Sequence, residues 1–568
     1  MKNYYFFLRI LIIISVLMNY SFITAQTPNV EWIQTFNGAG DSFDEIKYLR
    51  LDAQGNVVVT GRSQSGAGST YLDVVTIKYA PNGTLMWSHT WNNDNYGFND
   101  EPYDMEIAPN GNIIIGGISK ISASSQDNNG VAFVFALDEN GNFLWSDSLK
   151  GTGHINSNGF YINSNFVTEI EVNAQNEIYV TGLATGNDVT EYEQMFVAKY
   201  NAAGQRQWFN MFNNSTQFEF ADYGKGMGLD ANGNAYVCGI STISNTWRDF
   251  AVWKINPSGN LSWIATKAGP INNVSEQLED IITDAEGNSY TFGINSADKY
   301  VLLKYDSAGT EQWSYLFDTI AVGSSGAFTG ADAHLIFDNE GNIIFVAAFV
   351  PSSASYSKIG VAKFAPDGTL IWFSLQGGTG IYDNRSYLPV VDADNNIYIT
   401  GSVSNVGTSY FDIGTFKLDK NGNLLWYVSH DGPSSTNDKG HSMAVAQDGS
   451  VYVGGYSSGY TTNSDYIVIK YKQETTVGTT EQLFAKNKMT AFPNPSTGDL
   501  TLYFNHELPL HHIEIFDVHG KSVFYENLYE KKLLNHKLDL HNLNNGYYVL
   551  KAVSSEHIFT TSFVLQGK

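Results

Sequence analysis

Short apolar runs separated by polar turns follow one another along almost the whole chain. In LDAQGNVVVTG, residues 51–61, a polar turn leads into a run of β-branched residues that ends in Gly. Similar segments recur as LDANGNAYVCG (229–239), TDAEGNSYTFG (283–293) and VDADNNIYITG (391–401). Apolar residues on consecutive positions are typical of strands with both faces covered. After the first 25 residues no long run has the 3.6-residue period of a helix, so the chain is predicted to be all-β.

Eight tryptophans mark the repeating unit. Each begins a strand, and a second strand, a turn such as DAQGN or DNEGN, a third strand and a fourth strand such as DVVTIKY follow. Such a unit cannot bury both of its faces alone, but radially packed units can. We therefore predict an eight-bladed β-propeller of four-stranded blades over residues 26–473. The tryptophans are Trp32, Trp87, Trp145, Trp208, Trp263, Trp313, Trp372 and Trp426.

The ends of the repeat region predict how the ring closes. A tight turn joins each fourth strand to the next tryptophan strand, so the two should form a hairpin within one blade. The first tryptophan strand, 30–36, has no fourth strand before it, and the last fourth strand, 465–471, has no tryptophan strand after it. Their pairing would remove an exposed edge. The N-terminal strand is thus predicted to complete the last blade, and a seven-bladed ring with one divergent unit is the alternative.

Residues 30–471 resemble the bacterial β-propeller repeat family. The shared features are a Trp, a D-x-x-G-N-x-Y-V-T-G motif and a D-x-x-V-K-Y motif, once per unit. The resemblance implies the fold and the export of the protein, but no particular activity.

The N-terminal segment, residues 1–25, is predicted to be a signal peptide. Lys2 and Arg9 lie near its start, an apolar run extends to about Met18, and the small Ala25 precedes the expected cleavage site. A membrane anchor is the alternative interpretation, but the apolar run is shorter than the ~20 residues that span a bilayer. The mature protein is therefore expected outside the cytoplasm.

The C-terminal part of the chain lacks the repeat. Residues 474–488 are polar and are predicted to be a linker, and residues 489–568 are predicted to form a small Ig-like β-sandwich. This tail resembles the type A C-terminal sorting domain of the type IX secretion system of Bacteroidetes. The resemblance implies that the secretion machinery is a partner and that the protein is secreted or lies on the outer cell surface. The matching residues are Pro493, Asn494, Pro495, Gly498, Asp517, Gly520, Lys521, Leu543, Gly546, Tyr548 and the terminal Lys568.

Charge and cysteine content exclude some functions. The formal net charge of −25 disfavours nucleic acid as a partner, because such a surface repels phosphate groups. The single cysteine, Cys238, can form neither an internal disulfide nor a multi-cysteine zinc cluster. We expect a monomer without a cofactor.

The repeated residues are expected to be structural. A Trp, and a Lys of the fourth strand, at the same position of successive units favour packing over catalysis. The turns DENGN at 138 and DKNGN at 419 place Gly fourth and lack the twelfth-position Glu of an EF-hand, so they are not expected to bind calcium. The chain has no G-x-S-x-G elbow and no H-E-x-x-H motif. It resembles the quinoprotein dehydrogenases in its predicted architecture, but one cysteine cannot supply the vicinal pair that many of them carry.

Function is expected in the variable loops, because the strands repeat and the loops do not. Aromatic residues in Asn- and Ser-rich loops suit stacking on sugars or contact with a protein. The favoured hypothesis is a non-enzymatic module that binds an extracellular glycan or protein. The alternatives are a loop-assembled hydrolase or lyase, a quinoprotein-like enzyme, and a structural spacer of the cell envelope. The candidate loop residues are Trp91, Tyr96, Phe98, Phe160, Tyr161, Phe218, Phe220 and Tyr223.

Overall fold

A computed structural model defines the fold. It describes residues 27–566 except 41–42, 65–70, 94–97, 122–129, 152–153, 156–160, 163, 186–192, 214–221, 242–248, 269–275, 296, 298, 318–332, 350–356, 379–384, 387, 406–409, 435, 460–462, 474–488, 519 and 555–557. The predicted signal peptide, the predicted linker and Lys568 lie outside these residues. The chain divides into two compact units, Met1–Glu474 and Thr475–Lys568.

The first unit is an eight-bladed β-propeller, as predicted, with antiparallel blades. From the axis outward, blade 1 consists of β2 (Glu45–Leu51), β3 (Val57–Ser63), β4 (Asp73–Tyr79) and β5 (Leu85–Trp91), and blade 2 of β6 (Asp100–Ile107), β7 (Ile113–Lys120), β8 (Gly130–Leu137) and β9 (Phe143–Leu149). Blade 3 consists of β12 (Phe166–Val172), β13 (Ile178–Thr185), β14 (Glu193–Tyr200) and β15 (Arg206–Phe212), and blade 4 of β16 (Tyr223–Leu229), β17 (Ala235–Ser241), β18 (Asp249–Ile255) and β19 (Leu261–Lys267). A separate two-stranded sheet consists of β10 (His154–Ile155) and β11 (Tyr161–Ile162).

Blades 5 to 8 follow the same plan, although the innermost strand of blade 7 is in two pieces. Blade 5 consists of β20 (Gln277–Thr283), β21 (Ser289–Ile294), β22 (Tyr300–Tyr305) and β23 (Glu311–Leu316), and blade 6 of β24 (His334–Phe337), β25 (Ile343–Phe349), β26 (Lys358–Phe364) and β27 (Leu370–Gln376). Blade 7 consists of β28 (Arg385–Ser386) with β29 (Val390–Val391), β30 (Ile397–Ser404), β31 (Phe411–Leu418) and β32 (Leu424–His430). Blade 8 consists of β33 (Lys439–Val445), β34 (Val451–Ser457), β35 (Asp465–Lys472) and β1 (Asn29–Phe36).

The ring closes through the N-terminal strand, which confirms the prediction. Strand β1 pairs antiparallel with β35, so that Trp32 lies opposite Lys470 and Phe36 opposite Tyr466. Blade 8 therefore contains strands from both ends of the propeller sequence, and β35 has a partner on each side.

The apolar core lies between the blades. Each hydrophobic cluster of the propeller joins two neighbouring blades; for example, Ile46 and Val75 of blade 1 pack with Tyr452 and Val468 of blade 8. The strand second from the axis is buried on both faces, as in β13 and β30. Because an isolated blade would expose both of these faces, the propeller is stable only as an assembled ring.

One turn recurs in the blades and explains the repeated Asp and Gly. In blade 1, Asp52 Oδ1 accepts hydrogen bonds from the main-chain N–H groups of Gln54 and Asn56, at 2.9 and 2.8 Å. Gly55 has a φ of 78°, which is the left-handed conformation that glycine adopts most readily. Asp138 makes the same contacts in its turn, so the DENGN sequence is a turn, as predicted.

The second unit is a nearly closed, sandwich-like β-sheet. Its strands are β36 (Met489–Phe492), β37 (Asp499–Phe516), β38 (Ser522–Asp539), β39 (Gly546–Ser554) and β40 (Ile558–Leu565). A bridge between Ser496 and Leu565 brings the two edges together. Its core contains Leu500, Ile513 and Phe563, among others. In the part of the chain that the structure describes, no helix is long and apolar enough to span a membrane.

Candidate functional site

The repeated Trp and Lys side chains connect neighbouring blades. In blade 5, Trp313 Nε1 and Lys304 Nζ both donate to the carbonyl oxygen of Pro366, in the outer turn of blade 6, at 3.1 Å each. The turn glycine, Gly368, lies against the indole ring. Trp32 and Lys470 of blade 8 share the Pro81 carbonyl of blade 1 in the same way. These contacts give the repeated residues the structural role expected from their repetition.

Gln473 replaces the missing turn where the propeller sequence ends. Its Oε1 accepts hydrogen bonds from Lys417 Nζ at 2.9 Å and from Trp426 Nε1 at 3.3 Å. Its Nε2 donates to Tyr398 OH and to the Gly449 carbonyl. One side chain thus provides the acceptor that a turn carbonyl provides elsewhere.

Bulges in the innermost strands direct side chains toward the axis. The pairing of the innermost strand with its neighbour shifts by one residue at the same place in blades 1 to 5 and 8. A bulge bends its strand and re-aims the extra side chain. The extra residues are Lys47, Tyr103, Thr168, Lys225, Glu279 and His441.

The Gly that ends the repeated V-T-G motif makes room for these bulges. A Cβ built on Gly182 would lie against the carbonyl oxygen of Phe166, inside van der Waals contact. Gly61 and Gly239 stand in the same relation to the carbonyl oxygens of Glu45 and Tyr223. The motif therefore reflects the shape of the axial wall as well as the turn beside it.

A cavity of about 460 Å³ lies on the axis. We call it the axial cavity. Three aromatic rings form an arc along its wall: Phe166 lies 5.9 Å from Tyr103 and 5.8 Å from Tyr223, both edge to face. Its other lining residues are Tyr48, Arg50, Asp104, Thr168, Glu169, Lys225, Glu279, Asp280, Ala333, His334 and Leu388.

Two of the lining carboxylates connect one blade to the next. Asp104 accepts main-chain N–H groups from Met105 and from Ile170 of blade 3, at 2.7 Å each. Asp280 accepts N–H groups from Ile281, at 2.7 Å, and from Leu335 of blade 6, at 2.9 Å. Burial and the nearby Glu106 carboxylate raise the pKa of Asp104. These two groups are therefore held in place by the fold.

The two cations of the axial cavity are paired with carboxylates. Arg50 donates from Nε and Nη2 to Glu106 Oε1, at 3.0 and 2.7 Å. Lys225 Nζ lies 3.3 Å from Glu279 Oε2 and 5.3 Å from the centre of the Tyr223 ring. Neither is an isolated positive charge.

Glu169 and Glu171 make no hydrogen bond or ion pair with any residue that the structure describes. They lie two residues apart on β12, so their side chains point the same way. Burial, followed by the Asp104 and Asp280 carboxylates, raises the pKa of Glu169 well above its ordinary value. Burial and Glu106 do the same to the pKa of Glu171. Both residues are nevertheless partly exposed to solvent, and each lines a cavity.

Glu171 belongs to a second cavity of about 770 Å³. The turns between the first two strands of blades 3 to 5 contribute to its wall through Asn173, Asp230 and Ala285. Its described lining carries no aromatic arc comparable with that of the axial cavity.

A buried ion network joins blades 8, 1 and 2. Glu45 lies 2.9 Å from Lys47, 3.0 Å from Arg62 and 3.3 Å from His441 Nε2. Arg62 also pairs with Glu101 of blade 2, at 3.1 Å. Burial lowers the pKa of His441 to about 3, so this imidazole is neutral near pH 7. The network lies where blade 8, which contains both ends of the propeller sequence, meets blade 1.

The predicted loop residues occupy different surroundings. Trp91 is the last residue of β5 and is not part of a loop. Its ring stacks on Phe135, with 4.9 Å between the ring centres, in the core between blades 1 and 2. Phe98 packs against Tyr71 at 5.1 Å. Tyr223 begins β16 and, of the candidates whose side chains the structure describes, is the one that lines the axial cavity. Tyr161 lies in β11, and Tyr96, Phe160, Phe218 and Phe220 lie outside the described residues.

The predicted sorting-motif residues shape turns and strand ends of the second unit. Asn494 accepts from the main-chain N–H of Val564, at 2.9 Å, and so ties the Pro-Asn-Pro turn to β40. Asp517 Oδ1 accepts from the N–H of Lys521, at 3.0 Å, across a turn in which Gly520 has a φ of 75°. Tyr548 OH donates to the Asn544 carbonyl at 2.8 Å.

No metal centre is found in the part of the chain that the structure describes: no three His, Cys, Asp or Glu side chains there are placed to hold one ion. Cys238 is fully buried, and burial raises the pKa of its thiol.

Comparisons with known proteins identify the tail. Residues 490–566 match the model of the secretion system C-terminal sorting domain. None of the curated proteins matches the sequence significantly.

Solved structures with similar folds share little sequence with this chain. The BP39L lectin of Burkholderia pseudomallei matches with 9% identity and a TM-score of 0.40 over 68% of this chain and 99% of its own. The β-propeller domain of the Trilobed protease of Pyrococcus furiosus matches with 9% identity and a TM-score of 0.34, over 67% and 98%. PorZ, a surface component of the type IX secretion system of Porphyromonas gingivalis, matches with 10% identity and a TM-score of 0.23, over 94% and 100%. At these scores none of them indicates what this protein binds.

The fold and the family match together define the protein's organisation. It is an eight-bladed β-propeller that carries a type IX secretion system C-terminal sorting domain and is exported to the cell surface or the medium.

Proposed function

We propose that the propeller is a non-enzymatic module that binds an extracellular glycan in the axial cavity. The observation that carries the proposal is the arc of Tyr103, Phe166 and Tyr223 beside fixed polar groups. Aromatic rings offer flat apolar surface to the faces of sugar rings, and convergent polar groups orient the hydroxyls. A cavity of about 460 Å³ is within the range of small-ligand sites.

The structural context fits a binding role. The lining residues sit on strands whose positions are fixed by bulges and by main-chain hydrogen bonds to Asp104 and Asp280. A rigid site loses little conformational entropy when a ligand binds. Export places the protein where extracellular polysaccharides are found.

The test is a binding screen with the purified chain that lacks residues 1–25. A glycan array identifies a ligand, and calorimetry then compares the wild type with Tyr223→Ala and Phe166→Ala. Loss of a stacking ring should weaken binding by about tenfold. Phe143→Ala, at an exposed position of the outer strand β9, is the control and should bind normally. Recognition of proteins only, or of nothing by a folded protein that localises normally, would refute the proposal.

A hydrolase or lyase is the second candidate, because two carboxyl groups, Asp104 and Glu169, line the same cavity and burial raises the pKa of each. Two carboxyl groups of different protonation are the usual acid and base of glycoside hydrolysis. In this protein the two groups would be Asp104 on β6 and Glu169 on β12, which lie on strands and not on loops. Release of reducing ends from a bound glycan, abolished in Glu169→Gln, would establish this candidate, whereas the binding proposal predicts no release.

A further inference from the structure

The charges around the axial cavity do not balance. Its two cations, Arg50 and Lys225, are already paired with Glu106 and Glu279. Arg50 Nη2 also lies 3.9 Å from Asp104, and His334 Nδ1 lies 3.7 Å from Asp280. Only Glu169, among the lining carboxyl groups in the described part of the chain, has neither an ion pair nor a hydrogen bond. Asp104 and Asp280 each accept two main-chain N–H groups, which stabilise these carboxylates but bring no net charge. The cavity therefore has more carboxyl groups than basic side chains to pair with them.

Glu169 differs from the other two carboxylates. It occupies the same position of the bulged strand in blade 3 as Asp104 does in blade 2 and Asp280 in blade 5. Asp104 and Asp280 reach the backbone of the next blade, but Glu169 has no partner in the described part of the chain. Thr168 makes the contact to blade 4 instead, because its Oγ1 donates to the Gly224 carbonyl at 3.0 Å. Glu169 is thus not needed as a link between blades.

We propose that the ligand of the axial cavity is a cationic glycan, with the free amino group of an amino sugar received by Glu169. This inference rests on the proposed function and specifies its ligand. A protonated amine would pair with Glu169 and reduce its repulsion with Asp104 and Asp280, which a neutral hydroxyl cannot do.

The aromatic wall is compatible with a cationic ligand. The faces of aromatic rings attract cations, and Lys225 Nζ already lies 5.3 Å above the Tyr223 ring. The formal net charge of −25 also favours the approach of a cation over that of an anion. The raised pKa of Glu169 is consistent with a carboxyl group that lacks a counter-charge.

The test compares two oligosaccharides that differ only in acetylation. Calorimetry with the chain that lacks residues 1–25 measures binding of the glucosamine tetramer and of the N-acetylglucosamine tetramer, below the pKa of the free amine. The glucosamine tetramer should bind at least about tenfold more tightly, the value of one good charge-assisted contact. Its affinity should fall with added salt, while that of the acetylated tetramer should not.

The variants Glu169→Gln and Glu171→Gln provide a matched pair. Both remove an unpartnered carboxylate from β12, but only Glu169 lines the axial cavity. Glu169→Gln should abolish the preference for the free amine, and Glu171→Gln should keep it within about twofold. Thermal unfolding confirms that both variants are folded.

The remaining outcomes distinguish a failure of the cationic-ligand proposal from a failure of the glycan-binding proposal. Equal binding of both tetramers, or binding of neutral glycans only, overturns the cationic ligand and leaves glycan binding intact. Equal loss in the two variants shows a general charge effect and overturns the role of Glu169. Binding of tetralysine with no binding of any glycan overturns both proposals, because the cavity then recognises amines of proteins.

Discussion

Single residues show how far repetition in the sequence predicts their roles. Trp313 and Lys304 recur in equivalent positions, and the structure gives them the structural role that repetition indicates. Repetition does not distinguish Glu169 and Glu171, because the innermost strands differ from blade to blade. The sequence FVTEIEV places both carboxylates on one face of a strand, and this alternation is the feature from which the pair could be predicted.

The unpartnered glutamates should lower the stability of the protein at neutral pH. Their folded pKa values are raised above the ordinary 4.5, so the native state binds protons that the unfolded state has released. This part of the stability is therefore lost as pH rises from about 4.5 through the raised values. At pH 8 the free energy of unfolding of the double variant Glu169→Gln/Glu171→Gln should exceed that of the wild type by about 1 kcal/mol.

Urea unfolding at several pH values measures this effect. The difference between variant and wild type should shrink as pH falls toward 4.5, because the wild-type carboxyls become protonated in both states. A variant that is less stable than the wild type at pH 8 would show that the two carboxylates have stabilising partners.

At the scale of strands and turns, most features followed from the sequence. Periodic apolar runs predicted the strands, and D-x-x-G-N predicted the turns, because both are local properties. The bulges were not predicted, since the extra residues (Lys47, Tyr103, Thr168 and Lys225 among them) have no common chemical type. The indirect signal was the Gly of the V-T-G motif on the neighbouring strand, such as Gly182.

Gly182→Ala tests the link between that Gly and the bulge. The new methyl group would collide with the Phe166 carbonyl, a backbone atom that cannot move aside alone. We expect a loss of about 2 to 3 kcal/mol in the free energy of unfolding, together with weaker ligand binding, because Phe166 lines the axial cavity.

Gly341→Ala is the control for this substitution. Gly341 has a φ of 80°, and nothing lies within 4 Å of its added Cβ, so only the backbone strain of about 1 kcal/mol should appear. Equal losses in the two variants, by denaturant unfolding, would contradict the steric account of the V-T-G glycine.

At the scale of the whole molecule, counting the units predicted both the number of blades and the closure. The first and last strands each lacked a partner, and a ring is the arrangement that supplies one to both. The axial cavity could not be predicted in this way, because its wall combines residues from blades that are far apart in sequence, such as Tyr48 and Asp280. Of the predicted loop residues that the structure describes, Tyr223 alone lines the axial cavity.

Closure of the ring by the N-terminal strand underlies the fold, the axial cavity and both proposals. A disulfide between Ile33→Cys and Ile469→Cys tests it most directly, because these residues are directly paired in β1 and β35 and the native Cys238 is buried. Paired positions of antiparallel strands have the Cα separation that a disulfide needs. In the purified protein under mild oxidation, mass spectrometry should find the peptides of residues 33 and 469 joined. Ile33→Cys with Ile371→Cys, on the outer strand of blade 6, should remain reduced. No cross-link in the first variant, or equal cross-linking in both, would contradict a closed ring.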